Sequence, residues 1–350
     1  MTQAQLAAAV GIDRSALAKI ETGARRVSAL ELVAIARELR RRVEWFVNPG
    51  PPSIVSYRTS KGDVATQVID MELDRIVRDV EFVAGRMPNL IKSEPEQQLA
   101  PATVSSADRL AAVARSLLGL ESDDLAYNLS DLVTKVGLLP FAVNLGDGAD
   151  AGTVLLRVGG VTVINGDLRV GRRRLALAHE LGHYLIRDPY TMDWRIDSAE
   201  AIDLEAHLDR FARAVLLPEA DVRERWAKWI AIPDESMRDA SVRAGSHYQV
   251  DMATLARRLI ELGLVDTARA NQIRQVRTKK ADIVEKNLAV AQELEPVSLS
   301  RTYEQAVLGL YRQEVITTER ALGLLLGTFT EDGLPDRAPA PEAEIWAVTS

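Results

Sequence analysis

His179-Glu180-Leu181-Gly182-His183 brings two imidazoles and a carboxylate into one short stretch. On a helix, positions i and i+4 share a face one turn apart, so both imidazoles can converge on one metal ion. Glu180 sits at the edge of that face, where its carboxylate reaches a water rather than the metal. This is the pattern of metal-assisted hydrolysis. The ion lowers the pKa of water, Glu180 takes the proton, the hydroxide attacks a polarised carbonyl, and Glu180 returns the proton to the leaving amine. The flanks, Leu175 to Ala178 and Tyr184 to Ile186, predict a buried helix, and buried histidines need partners. Solvated or capping histidines are the plainer alternative, which those apolar flanks disfavour.

A catalytic metal needs a third protein ligand and an open fourth position. Glu205 follows in Glu205-Ala206-His207-Leu208-Asp209-Arg210-Phe211-Ala212. Glu205 and Asp209 are i and i+4 and share a helix face. The economical assignment makes Glu205 the third ligand and Asp209 the carboxylate that accepts a ligand histidine's other N–H. His207 is the alternative third ligand. His-His-Glu suits Zn²⁺, and the same donors take Mn²⁺ or Fe²⁺. A donor opposite the metal would stabilise the transition state, and His247, Tyr248 and Tyr184 are the candidates. The chain has no cysteine and only four histidines, so thiol chemistry is excluded and the imidazoles above are nearly the whole supply.

The run Leu177-Ala178-His179-Glu180-Leu181-Gly182-His183-Tyr184-Leu185, with Glu205, Asp209-Arg210-Phe211-Ala212, Leu216-Leu217-Pro218 and the preceding Val161–Asn165, resembles the ImmA/IrrE family of bacterial metallopeptidases. The resemblance covers about residues 105–265. It implies a minimal thermolysin-like zincin fold, a metal held by the motif helix and a downstream Glu, and cleavage of a helix-turn-helix repressor that switches on a mobile element or stress response. The family usually has Asn where this chain has Asp209, and often Glu where it has His207.

The elements that must position these groups follow from periodicity. Residues 2–46 read as helices 2–10, 13–22 and 28–42, broken at Gly11 and Gly23. The run Thr2-Gln3-Ala4-Gln5-Leu6-Ala7, Ser15 and Ile20-Glu21-Thr22-Gly23 resembles the phage-repressor (XRE-type) helix-turn-helix. That class normally has a further helix before Thr2, so either the true start lies upstream or the domain is truncated. Residues 1–47 carry eight Lys/Arg against five Asp/Glu, opposite in sign to the chain's −7. The resemblance puts helix 13–22 in a DNA major groove with Arg14, Ser15 and Lys19 outward; a partner-docking module is the alternative.

Residues 48–104 read as linker and connecting helix (67–85), with a second polar, proline-bearing linker over 92–105. A zincin-like domain is expected over 105–235. It comprises helices 106–118 and 125–136, strands 138–145, 152–158 and 160–165 with a hairpin at Gly159-Gly160, then helices 168–187 and 200–217. A helical pair over 236–265 completes it. A helical tail over 266–337 is taken to dimerise the chain or recognise substrate, and 338–350 is a flexible terminus. The class is α+β with a small antiparallel sheet.

At 350 residues, two or three domains are expected. The net charge of −7 argues against coating nucleic acid by bulk charge, while leaving room for a local DNA-binding module. No apolar run reaches membrane-spanning length and no signal peptide opens the chain, so the cytoplasm is expected. Arg outnumbers Lys 35 to 8, which suggests GC-rich bacterial coding. The expected partners are a repressor substrate and, through the N-terminal module, DNA. A DNA-binding regulator that uses the zincin fold without proteolysis, and a toxin–antitoxin or phage component acting by binding alone, are the competing readings.

Overall fold

A computed structural model describes residues 2–38, 54–59, 64–91, 94–121, 123–147, 149–187 and 199–337. The chain divides into two compact units, Met1–Pro51 and Pro52–Ser350. The first holds α1 (Gln3–Val10), α2 (Arg14–Glu21) and α3 (Ala29–Glu38). Thr2 starts α1 with a capping box: its hydroxyl accepts from the Gln5 N–H, and the Gln5 side chain accepts from the Thr2 N–H. Gly11 ends α1 at a φ of 72°, a left-handed conformation that glycine adopts without penalty. Leu6, Ala7, Leu17 and Ile35 form the small core between the three helices. Expected helix residues 39–42 lie outside the described residues.

The second unit is built on a four-stranded sheet, β1 (Ile54–Thr59), β2 (Leu138–Val143), β3 (Ala149–Leu155) and β4 (Gly160–Asn165), in the order β1-β3-β4-β2. β3 and β4 form the expected hairpin, antiparallel across Gly159. The sheet is nevertheless mixed, because β2 pairs with β4 in parallel, Leu138 beside Gly160 through Val143 beside Asn165. This corrects the expected antiparallel sheet. β2 and β4 are buried along their whole length, the pattern of a parallel strand covered on both faces rather than one with a wet face.

Both faces carry helices. Leu138, Ala142 and Ile164 point to one side and Leu139, Phe141, Val143, Val161 and Val163 to the other, as strand alternation requires. The first side packs against α5 (Val104–Leu117), α6 (Leu129–Lys135), α7 (Val170–Ile186), α8 (Ala199–Leu216) and α9 to α11 (Glu219–Ile230, Met237–Tyr248, Met252–Glu261). The second packs against α4 (Val64–Ala84) and, from the C-terminal part, α14 (Arg301–Arg312) and α15 (Thr318–Leu324). In sequence, α12 (Thr267–Arg274), whose Ala270 and Ile273 join the first side's core, and α13 (Lys280–Glu285) lie between α11 and α14.

Residues 48–104 therefore do more than link. Within them β1 adds an edge strand beside β3, and α4 buries Ile69, Leu73, Ile76, Val80 and Val83 under the sheet. The stretch expected as a second linker lies along the end of α7, where the Gln98 N–H donates to the Leu185 carbonyl at 2.8 Å and Glu94 pairs with Arg187 at 2.7 Å. The apolar residues of the tail are likewise spent internally, with Tyr303 edge-on to Phe141 at 5.1 Å. Among the described residues no helix is long and apolar enough to cross a membrane.

Candidate metal centre

β4 leads into α7 through Asn165-Gly166-Asp167. The Asn165 side chain fixes that corner, donating to the Gly146 carbonyl at 2.8 Å and accepting from the Asp167 N–H at 3.0 Å. α7 is buried almost throughout, with Val170 and Arg172 as the partly open positions. It can lie so deep because two of its positions lack side chains. A Cβ on Gly171 would come within 2.3 Å of the Asp251 nitrogen, and one on Gly182 within 2.9 Å of Leu208 and 3.0 Å of Phe211. Gly182 thus sets the approach of α7 to α8, the helix that carries Glu205 and Asp209.

At that crossing four groups meet. His179 is 1% exposed and His183 2%. Their Nε2 atoms lie 3.1 Å apart, and the Glu205 carboxylate reaches both, Oε2 at 3.1 Å from His179 and Oε1 at 3.3 Å from His183. Asp209 Oδ1 lies 3.0 Å from His179 Nδ1. With the proton on Nδ1 shared with Asp209, the lone pair of Nε2 faces the point where the other two donors converge. Among the described residues, His179, His183 and Glu205 are the group whose ligand atoms cluster tightly enough to hold a metal, all within 4.8 Å. Burial would raise the Glu205 pKa, but the two imidazoles, which donate to it when the nitrogen facing it is protonated, outweigh burial and hold the carboxyl well below its ordinary range. Glu205 itself remains half exposed, so the cluster is open on the α8 side. Glu180, adjacent to His179, is fully buried.

The other sequence candidates lie elsewhere. His207, the alternative third ligand, is partly buried on α8 and is not in the convergent group. Tyr184 is corrected as a transition-state donor: its buried hydroxyl donates to the Val136 carbonyl at 2.8 Å, one residue round the helix from the histidine face. His247 lies in the last turn of α10. It lies edge-on to Trp229 at 5.4 Å and Tyr248 at 4.9 Å, with Nε2 3.8 Å from Asp221, an acid shared with the Tyr248 hydroxyl and Arg225. Burial, and then Arg225, lower its pKa against the pull of Asp221. These partners make His247 a packing residue of the α9–α10 corner.

In the first unit, Arg14, Ser15 and Lys19 are exposed on α2. Sequence reading missed Gln3, which accepts from Arg14 Nε at 3.3 Å and donates to Glu21 at 2.7 Å, so that α1 braces both ends of α2. It also missed the buried pair Arg174–Glu293, in which Arg174 further donates to the Ala126 carbonyl and Glu293 accepts from the Ser130 N–H at 2.7 Å. Only a contact across 119 positions reveals that pair.

Residues 1–46 match the family described as helix-turn-helix, and residues 134–259 match the family described as IrrE N-terminal-like domain. No curated protein and no solved structure matches the chain. The chain thus carries a helix-turn-helix of the phage-repressor type ahead of an IrrE N-terminal-like domain, the ImmA/IrrE family to which its motifs point.

Proposed function

We propose that the chain is a metal-dependent endopeptidase that cleaves a regulatory protein, a helix-turn-helix repressor, in the cytoplasm of a bacterium. The observation that carries the reading is the meeting of His179, His183 and Glu205 beside a buried Glu180. Two imidazoles and one carboxylate are the donor set of a catalytic Zn²⁺ site, and the residues fit that ion, with Mn²⁺ and Fe²⁺ as competitors for the same donors. When bound, such an ion supplies a Lewis acid toward the scissile carbonyl and toward water. Asp209 holds the His179 ring so that its Nε2 faces inward. Glu180 accepts the proton of the attacking water and returns it to the departing amine. The open side at Glu205 admits the substrate chain.

The helix-turn-helix supports a second reading, a DNA-binding regulator whose zincin-like domain senses or docks a partner without proteolysis. One experiment separates the two. The metal-loaded protein is incubated with repressors encoded in its genomic neighbourhood, and the products are read by mass spectrometry. Wild type yields a defined cut, and Glu180→Gln, which keeps shape and ligands, loses about two to four orders of magnitude in rate. If wild type and Glu180→Gln behave alike in cleavage and in the cellular response, the peptidase reading fails and the second stands.

A further inference from the structure

Many cations in the second unit sit on acids, among them Arg210 on Asp108, Arg213 on Glu261, Arg225 on Asp221, Arg243 on Glu235 and Lys286 on Asp239. Residues 267–281, which make up α12, the following turn and the start of α13, depart from this. They carry Arg269, Arg274, Arg277, Lys279 and Lys280 and no acid, in a chain of net charge −7. All five are exposed, and among the described residues none is ion-paired with a carboxylate. The next acid along, Asp282, is buried and taken on both oxygens by Arg238, at 2.9 and 2.7 Å. From these features we infer that 267–281 is a second nucleic-acid surface, one that holds the phosphate backbone of duplex DNA independently of the helix-turn-helix.

Three observations favour phosphodiester over other anions. Asn271, Gln272, Gln275 and Thr278 lie between the cations and are exposed, supplying the neutral donors that, with Arg and Lys, contact backbone oxygens. Ala270 and Ile273 of α12 face inward and are buried, and the exposed apolar residue of the helix is the small Ala268, so the outer face lacks the aromatic or large aliphatic anchor of a protein hot spot or a membrane-surface helix. The surface is also fixed in advance, since Ala270 and Ile273 root α12 in the core and Arg238 donates to the Arg277 carbonyl at 3.1 Å. α12 rises about 12 Å, long enough to follow several phosphates of a duplex that carries a charge every ~1.7 Å of axis.

The test uses the full chain and a fluorescein-labelled duplex of scrambled sequence, about 30 bp, with anisotropy read across a salt series. Arg274→Ala/Arg277→Ala/Lys280→Ala is expected to weaken binding about tenfold or more at 0.1 M salt and to reduce the slope of log affinity against log salt by about 2.7. The charge-keeping triple variant Arg274→Lys/Arg277→Lys/Lys280→Arg binds as wild type. With Arg14 and Lys19 also replaced by Ala, the remaining binding still responds to the triple substitution. Unchanged affinity and slope in an alanine variant of unaltered melting temperature overturns the inference. So does tighter binding of labelled polyglutamate than of the duplex, which makes the partner an acidic protein. None of these outcomes depends on whether the metal centre cleaves anything.

Discussion

His179 meets two carboxylates with different tasks. Its Nε2 faces Glu205 and its Nδ1 is held by Asp209. The second contact sets the tautomer and the ring plane, and so decides whether the first nitrogen presents a lone pair to the centre. Asp209→Ala is therefore expected to weaken Zn²⁺ binding about 10- to 100-fold, measured by competition with a chelator of known affinity, while the fold survives. An affinity within twofold of wild type would show that Asp209 is a surface acid that happens to lie close. Spacing alone nominated Glu205 and Asp209, because i and i+4 on one helix must share a face. It could not exclude His207, whose direction matters only once α8 is docked on α7.

α7 and α8 meet at a position defined by a missing side chain. Gly182→Ala would press a methyl against Leu208 and Phe211, both buried and unable to retreat far. It is expected to cost about 1–3 kcal/mol and, because α8 carries the third donor, to weaken metal binding as well. Gly171→Ala meets the backbone of Val250 and Asp251 instead. It should cost at least as much stability with a smaller effect on the metal, since it lies three turns from His183. Thermal melts and metal titrations of the two variants check this, and equal metal affinities in both would refute the role given to Gly182. The parallel register of β2 and β4 belongs to the same scale. The apolar run Leu138–Val143 is compatible with burial on both faces, but the direction of pairing is set by what connects the strands and covers them.

At the scale of the second unit, the segment that matches the IrrE N-terminal-like domain, residues 134–259, is completed by chain on both sides of it. α4 comes from before it and α14 and α15 from after it, and together they cover the second face of the sheet. The tail also reaches the site helix directly, through the buried Arg174–Glu293 pair, and Pro296 packs closely against Gly166 in the turn before that helix. Removing one member of a buried ion pair leaves the other charge desolvated and unpaired, at about 3–5 kcal/mol. Glu293→Ala is thus expected to lower the stability of the second unit by that order in denaturant unfolding, although Glu293 lies outside both matched segments. A loss below about 1 kcal/mol would mean that water reaches the pair.

The sequence by itself determined what lies within one helix or one turn. The histidine pair with Glu180, the helix-turn-helix, the Gly159 hairpin and the carboxylates of α8 were legible because backbone hydrogen bonding fixes the geometry of neighbours three or four residues apart. Tertiary structure alone decided which of these groups meet: Glu205 rather than His207 at the pair, the Tyr184 hydroxyl turned to the Val136 carbonyl, β1 recruited from an apparent linker, and Glu293 brought to Arg174. Those contacts depend on which faces pack and how closely two backbones approach. A missing Cβ at Gly182 or an apolar stripe on α4 enables them, but local pattern does not say against what.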